Sequence, residues 1–254
     1  MRSVVLIKQV PDSDDSRDLD PGGRMLRTGG KQVLDEIGER ALELVLGHRE
    51  ATRSGEVVAM AMGPSGARDA VRSALAMGAD RGVHLCDEQW AGADQIRTAR
   101  VLAAAVRREE PDLVVAGRAS SDGAGGVVPA LVAHLLGWPV LSDLASVDLG
   151  EGEVTGTRLT DLGTVSLRVL LPAVITITDQ LPEGRPPTLR GVLGARRKRL
   201  TTTDAADLGI GGPDPRTVVL SFERRRRRAA GVKVTDDGTA AARLATFLAD
   251  RRLI

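Results

Sequence analysis

Gly63-Pro64-Ser65-Gly66-Ala67-Arg68-Asp69-Ala70-Val71-Arg72-Ser73-Ala74-Leu75-Ala76-Met77-Gly78-Ala79-Asp80 is the stretch from which the fold can be read. An apolar run, Glu56 to Met62, reaches it and stops at Gly63-Pro64, as a strand does before a turn. Ala67 to Ala76 then reads as a helix, closed by Met77-Gly78 with glycine in the usual terminating place. Arg81 to Leu85 is the next short strand. The stretch is therefore the crossover of a βαβ unit. Working outward, Ser3 to Val10 is a β-branched run that stops at Pro11, and Pro11 to Gly30 is a turn-rich loop with room for a small hairpin. Val33 to Arg49 carries Ile37, Ala41, Leu42, Leu44 and Val45 at helical spacing. On the other side come a helix over Ala93 to Arg108, a strand over Asp112 to Ala116 and a helix over Gly125 to Leu136, ended by Gly137. Such alternation predicts right-handed crossovers and a parallel sheet.

After Trp138-Pro139 the pattern changes. Val147 to Leu149, Glu153 to Leu159, Thr164 to Leu170 and Ala173 to Thr178 are short strand-like runs, expected as an antiparallel extension of the same sheet. Gln180 to Leu200 reads as irregular and rich in Pro and Arg. Ala205 to Pro215 reads as a loop, Thr217 to Phe222 as a last strand and Gly238 to Arg251 as an amphipathic helix. This divides the chain into an α/β domain over residues 1–200 and a C-terminal arm over 201–254 that packs on something else.

Composition narrows the function. The 254 residues carry a net charge of +1, with 42% apolar and 27% charged residues, as in a globular protein with a real core. One cysteine, Cys86, excludes an internal disulfide, and the three histidines have no metal-binding spacing. No apolar run approaches the roughly 18 residues of a membrane span, and the N-terminus lacks a signal-peptide pattern, so a cytoplasmic location is expected. There is no tyrosine, and only Trp90, Trp138, Phe222 and Phe247 are aromatic. That suits strands buried on both faces and argues against single-stranded nucleic acids, which want stacking rings. The runs Arg196 to Arg199 and Arg224 to Arg228 therefore read as solvated or subunit-contacting faces. Cys86 reads as a buried structural thiol and His134 as a packed or half-exposed helix residue.

One run suggests a ligand: Gly117-Arg118-Ala119-Ser120-Ser121-Asp122-Gly123-Ala124-Gly125-Gly126-Val127, between a strand and a helix. Glycines let backbone N–H groups approach an anion, and the helix dipole favours it. A merely tight βα turn is the other reading, and the residues alone leave both open. The run is neither a Walker A loop nor the Ser-Gly-Gly-x-Asp loop of ATP pyrophosphatases.

Several segments together resemble one family. They are Val5 to Asp12, the Ala-Met-Gly-Ala-Asp turn, Glu39-Arg40-Ala41-Leu42-Glu43, Leu135-Leu136-Gly137-Trp138-Pro139, Pro172 to Thr176, Leu189 to Arg199 and Ala230 to Val234. At this spacing, over nearly the whole chain, they resemble the β subunits of the electron transfer flavoproteins, the FixA-like family. The resemblance implies a Rossmann-like parallel sheet sandwiched by helices, of the adenine-nucleotide-binding type, with a short antiparallel extension and an extended C-terminal arm. It implies a heterodimer whose α subunit holds most of the FAD. Electrons would come from acyl-CoA or other primary dehydrogenases and pass to a membrane quinone oxidoreductase. AMP, bound but not hydrolysed, would be lined by Leu6, Met62, Asp122, Gly123, Gly125, Gly126 and Val127.

Asp35 stands where the family carries Asn, so it is either a nucleotide contact or an ordinary helix N-cap. The segment 188–199 would recognise partner dehydrogenases, with Leu189 as anchor, the competing role for Leu189 being loop packing. Within the family, a second FAD exchanging electrons with NADH is the alternative occupant. Outside it, a nucleotide-sensing stress-type module and an ATP-using enzyme are the alternatives. The residues show no nucleophile, metal cluster or acid–base pair, so electrons could pass only through a bound cofactor.

Overall fold

The computed structural model describes residues 1–12, 18–26, 30–210, 216–223 and 231–254. The chain divides into two units, Met1–Val219 and Leu220–Ile254. In the first unit, β1 (Arg2–Leu6) stops short of the expected Val10. The chain turns at Ile7-Lys8 and continues as β2 (Gln9–Pro11), which pairs antiparallel with β3 (Gln32–Leu34) in a small separate sheet. The Asp35 N–H donates to the Lys8 carbonyl at 2.9 Å, which fixes where α1 (Glu36–Thr52) starts. Val33 and Leu34, expected inside that helix, belong to β3 instead.

The crossover that decided the fold is present as read: β4 (Glu56–Met62), α2 (Arg68–Met77) and β5 (Arg81–Leu85). It is followed by α3 (Gln95–Glu109), β6 (Leu113–Gly117) and α4 (Val128–Leu136). α4 begins later than the expected Gly125, because Ala124 and Gly126 take left-handed conformations, φ +48° and +67°, that a right-handed helix excludes.

Beyond it, β7 (Val140–Leu149), β8 (Glu153–Thr160) and β9 (Gly163–Leu170) form an antiparallel meander. β10 (Ala173–Ile177), expected in that extension, instead lies parallel between β6 and β7. All five of its residues are buried, and a continuous Ala-Val-Ile-Thr-Ile run suits a strand covered on both faces. The irregular stretch contains a helix, α5 (Leu189–Ala195), and ends in β11 (Leu200–Thr203), which pairs parallel with β5. The loop expected from Ala205 opens with α6 (Ala205–Leu208), started by a reciprocal Asp204–Asp207 capping box. The strand expected at Thr217 to Phe222 does not form. Val218, Val219 and Leu220 are exposed without a ladder partner, and β propensity alone does not make a strand.

Among the described residues, the main sheet runs β11-β5-β4-β1-β6-β10-β7-β8-β9. It is parallel from β11 to β7, a doubly wound α/β arrangement with an antiparallel end. Its two faces bury alternate residues. Val57, Ala59 and Ala61 of β4 pack with α1 and α2, while Val58 and Met60 pack with α3 and α4. β9 is an outer strand, and Leu159, Leu162 and Leu170 of its hairpin are exposed. In the second unit, α7 (Ala240–Asp250) buries no residue, and its Leu244 and Phe247 are exposed. No helix among the described residues is long and apolar enough to cross a membrane.

Candidate functional site

β4 lies on one side of β1 and β6 on the other, so the direction of winding reverses beside β1. Helices on opposite faces diverge there and leave a crevice at the carboxyl ends of the strands. A cavity of about 710 Å³ occupies that place, touching Leu6 of β1, Met62 of β4, Leu85 of β5 and Ala116 of β6. That volume suits a small organic ligand.

The glycine run forms one wall. The Lys8 ammonium donates to Asp122 Oδ1 at 2.7 Å and to Ser120 Oγ at 3.1 Å. The break after β1 thus turns Lys8 out of the sheet and onto the glycine loop. Asp35, almost fully buried, accepts the Ser121 N–H on Oδ2 at 2.9 Å. It occupies the N-cap position of α1, yet its side chain makes no capping bond and reaches across to the loop instead. Burial raises its pKa above the ordinary value, partly offset by the Ser121 bonds.

Leu6, Asp35, Met62, Gly123, Gly125 and Gly126 line the cavity. Asp122 sits behind the wall with its side chain 1% exposed, holding Lys8. Val127 also lies outside the lining and precedes the first turn of α4. The rest of the lining was not foreseen. It consists of the β5–α3 connection with Cys86 and Trp90, of Gln95 and Thr98 in the first turn of α3, with Gln95 against Gly125, and of the hairpin near Arg24. A Cβ on Gly92, at φ +69°, would stand 2.6 Å from the Arg24 guanidinium, so glycine lets that side chain lie on the connection. The carboxyl-end rule for doubly wound sheets, applied to the strand ending at Leu85, would have found Cys86 and Asp87; nothing in the sequence marks Arg24. Cys86 is half-buried rather than buried, and its thiol pKa is raised, chiefly by burial, which keeps it a poor nucleophile. His84, fully buried on β5, has Nε2 3.2 Å from the Gly63 carbonyl and 3.1 Å from that of Pro64. Burial lowers its pKa, so a neutral ring donates from Nε2 and pins the turn at the cavity rim.

Does the cavity fit an adenine nucleotide? The indole Nε1 of Trp90, a wall residue, is buried without a hydrogen-bond partner. An orphaned donor costs roughly 1–3 kcal/mol, a strain that this wall carries. Leu6 and Met62 offer apolar flanks, and α4 presents its amino end beside the glycines. These features fit a nucleotide. Among the described residues, no group of three His, Cys, Asp or Glu side chains could hold a metal.

Far from the cavity, Leu189 is the first residue of α5, capped by the Thr188 hydroxyl, which accepts the Gly191 N–H at 3.0 Å. It lies on a helix rather than the expected loop and is 77% exposed. Of the basic runs, Arg196 to Arg199 is described, whereas Arg224 to Arg228 lies outside the described residues.

The sequence profile of the electron transfer flavoprotein domain matches residues 23–208. The electron transfer flavoprotein subunit beta of Mycobacterium tuberculosis is 40% identical over 262 aligned residues, spanning 99% of this chain and 98% of that protein. The subunit of the same name from Mycobacterium leprae is 39% identical with the same coverage. The one from Mus musculus is 33% identical over 92% of each chain. With a likeness of this extent, carried by a doubly wound sheet with a cavity at its strand reversal, the chain belongs to the electron transfer flavoprotein β-subunit family.

Proposed function

We propose that this chain is the β half of a cytoplasmic heterodimeric electron carrier, with AMP in the cavity and most of the FAD held by the α subunit. Family membership makes it a flavoprotein electron-transfer subunit with an α-subunit partner. The observation that carries the nucleotide reading is the cavity itself. It lies at the strand reversal, beside the glycine loop. The chain's residues would bind and orient the nucleotide: loop amides toward the phosphate, Leu6 and Met62 against the adenosine, and Asp35 bracing the loop. FAD supplies the redox chemistry. Electrons would enter from acyl-CoA or other primary dehydrogenases docking at Leu189, and leave toward a membrane quinone oxidoreductase. Of the expected arm over 201–254, residues 201–210 belong to the first unit through β11 and α6, and the part from 220 on would pack on the α subunit. Within 220–254 no described residue is buried, which suits a segment that finds its apolar contacts on a partner.

One observation favours a second reading. The cavity lining takes in Cys86, Trp90, Gln95 and Thr98 beyond the residues read for AMP, room that a second FAD exchanging electrons with NADH would use. Acid release of nucleotides from the purified αβ complex, followed by chromatography, separates the two. One AMP and one FAD per heterodimer are expected. Two FADs would replace the first reading with the second, and FAD alone, in equal stoichiometry, would leave the cavity without a nucleotide and overturn both.

A further inference from the structure

The carboxyl end of α2 and the segment bearing α5 hold each other. From α2, the Arg72 guanidinium donates to the Ala195 carbonyl at 2.6 Å, the last of α5, and to that of Lys198 at 3.3 Å. In return, the Lys198 ammonium donates to the Leu75 carbonyl at 2.9 Å, in the last turn of α2, and to that of Ala79 at 2.7 Å. Terminal helix carbonyls lack partners within their own helix and carry partial negative charge, so a cation satisfies both needs. Each helix end is thus capped by a cation from the other side. The contact leaves no slack. A Cβ on Gly191 would collide with the Ala76 carbonyl, so α5 lies with its backbone against the end of α2.

This clamp fixes what α5 shows outward. Leu189, Val192 and Leu193, spaced three and four residues apart, are exposed and share one face. Arg190, Arg196, Arg197 and Arg199 surround that segment. All four are exposed, and no ion pair forms on them among the described residues. Charge complementarity points to an apolar socket with an acidic rim on the partner.

We propose that Arg72 and Lys198 are positioning residues for docking. They preorganise α5, so that a primary dehydrogenase with such a socket meets a rigid face rather than a loop that must first be ordered. Preorganisation removes an ordering cost from binding, and its loss appears as weaker capture rather than slower chemistry. The proposal rests on the reading of Leu189 as the docking anchor.

The test uses the αβ complex as electron acceptor for a purified, substrate-reduced acyl-CoA dehydrogenase. It is read by KM and kcat, together with hydrogen exchange of the amides over residues 189–199. Lys198→Met is expected to raise KM about tenfold, with kcat and nucleotide content unchanged and amide protection lost. Lys198→Arg restores most of both. Leu189→Ala raises KM by a similar factor and leaves the exchange unchanged. If Leu189→Ala raises KM while Lys198→Met changes neither KM nor exchange, the clamp has no part in docking and the proposal fails alone. If Leu189→Ala leaves KM unchanged, the docking surface is misassigned and both readings fall. Should Lys198→Met not fold, Arg72→Gln removes the opposite half of the clamp and is read in the same way.

Discussion

The cavity and the docking face lie at opposite ends of α2 and are built by different means. At the amino end, the turn Gly63-Pro64 and the glycine loop present backbone to the cavity, and charged side chains brace that backbone: Lys8 holds Asp122 and Ser120, and Asp35 holds the Ser121 amide. At the carboxyl end, two long cations make four hydrogen bonds to carbonyls, two in the last turns of α5 and α2 and two just beyond them, and three apolar side chains make the surface. A site made of backbone is sensitive to added atoms and to conformations that only glycine tolerates. A site made of side chains is sensitive to their removal.

The most damaging test strikes what both ends share. Leu75 is fully buried in α2, and its carbonyl is one of those held by Lys198. Leu75→Ala should cost roughly 2–5 kcal/mol of stability, measured by urea denaturation, and should reduce both nucleotide content and partner capture. If a loss of that size left both intact, the two ends would not depend on the same helix. Next comes Gly126→Val. Gly126 lines the cavity at φ +67°, where a β-branched residue carries strain of roughly 1–3 kcal/mol. Nucleotide content should fall while the KM for the dehydrogenase holds. Retention of full nucleotide would remove the glycine loop from the site. Gly125 is the weaker target, since a side chain there meets only the movable end of Gln95.

The smallest effect concerns Asp35→Asn. The folded pKa of Asp35 lies above its ordinary 3.8, chiefly through burial, so the native state binds its proton more tightly than the unfolded state does. Stability from this group is therefore highest below 3.8, declines as pH rises through the folded pKa, and stays reduced at neutral pH. Asn keeps an acceptor for the Ser121 amide and has no such slope. Plotted against pH, the stability of Asp35→Asn minus that of the wild type should rise from acid toward neutral. A flat difference would mean that burial imposes no charge penalty at this position.

The sequence made the parallel half of the sheet legible because its signals are local: apolar runs, a Gly-Pro stop, an Ala-Met-Gly helix end. β4 and β5 fall on the expected residues. Much of the cavity was legible through the family resemblance, which pointed to the glycine loop, Leu6 and Met62. What escaped depends on contacts between distant residues. β10 is as apolar as any buried strand, and only its pairing with β6 and β7 decides that it is parallel. α5 is only seven residues long, with two prolines just before it, and the clamp to α2 is what holds it. Trp90 and Arg24 join the cavity wall through the path of connections, which periodicity does not encode.

The outer strand β9 has a consequence for the free chain. One of its sides has no neighbouring strand among the described residues, and its hairpin exposes Leu159, Leu162 and Leu170. Such an edge is a template for any passing strand, including that of a second copy. Concentrating the free chain would therefore favour pairing of this edge with its copy, and a charged residue in place of Leu170 would blunt it.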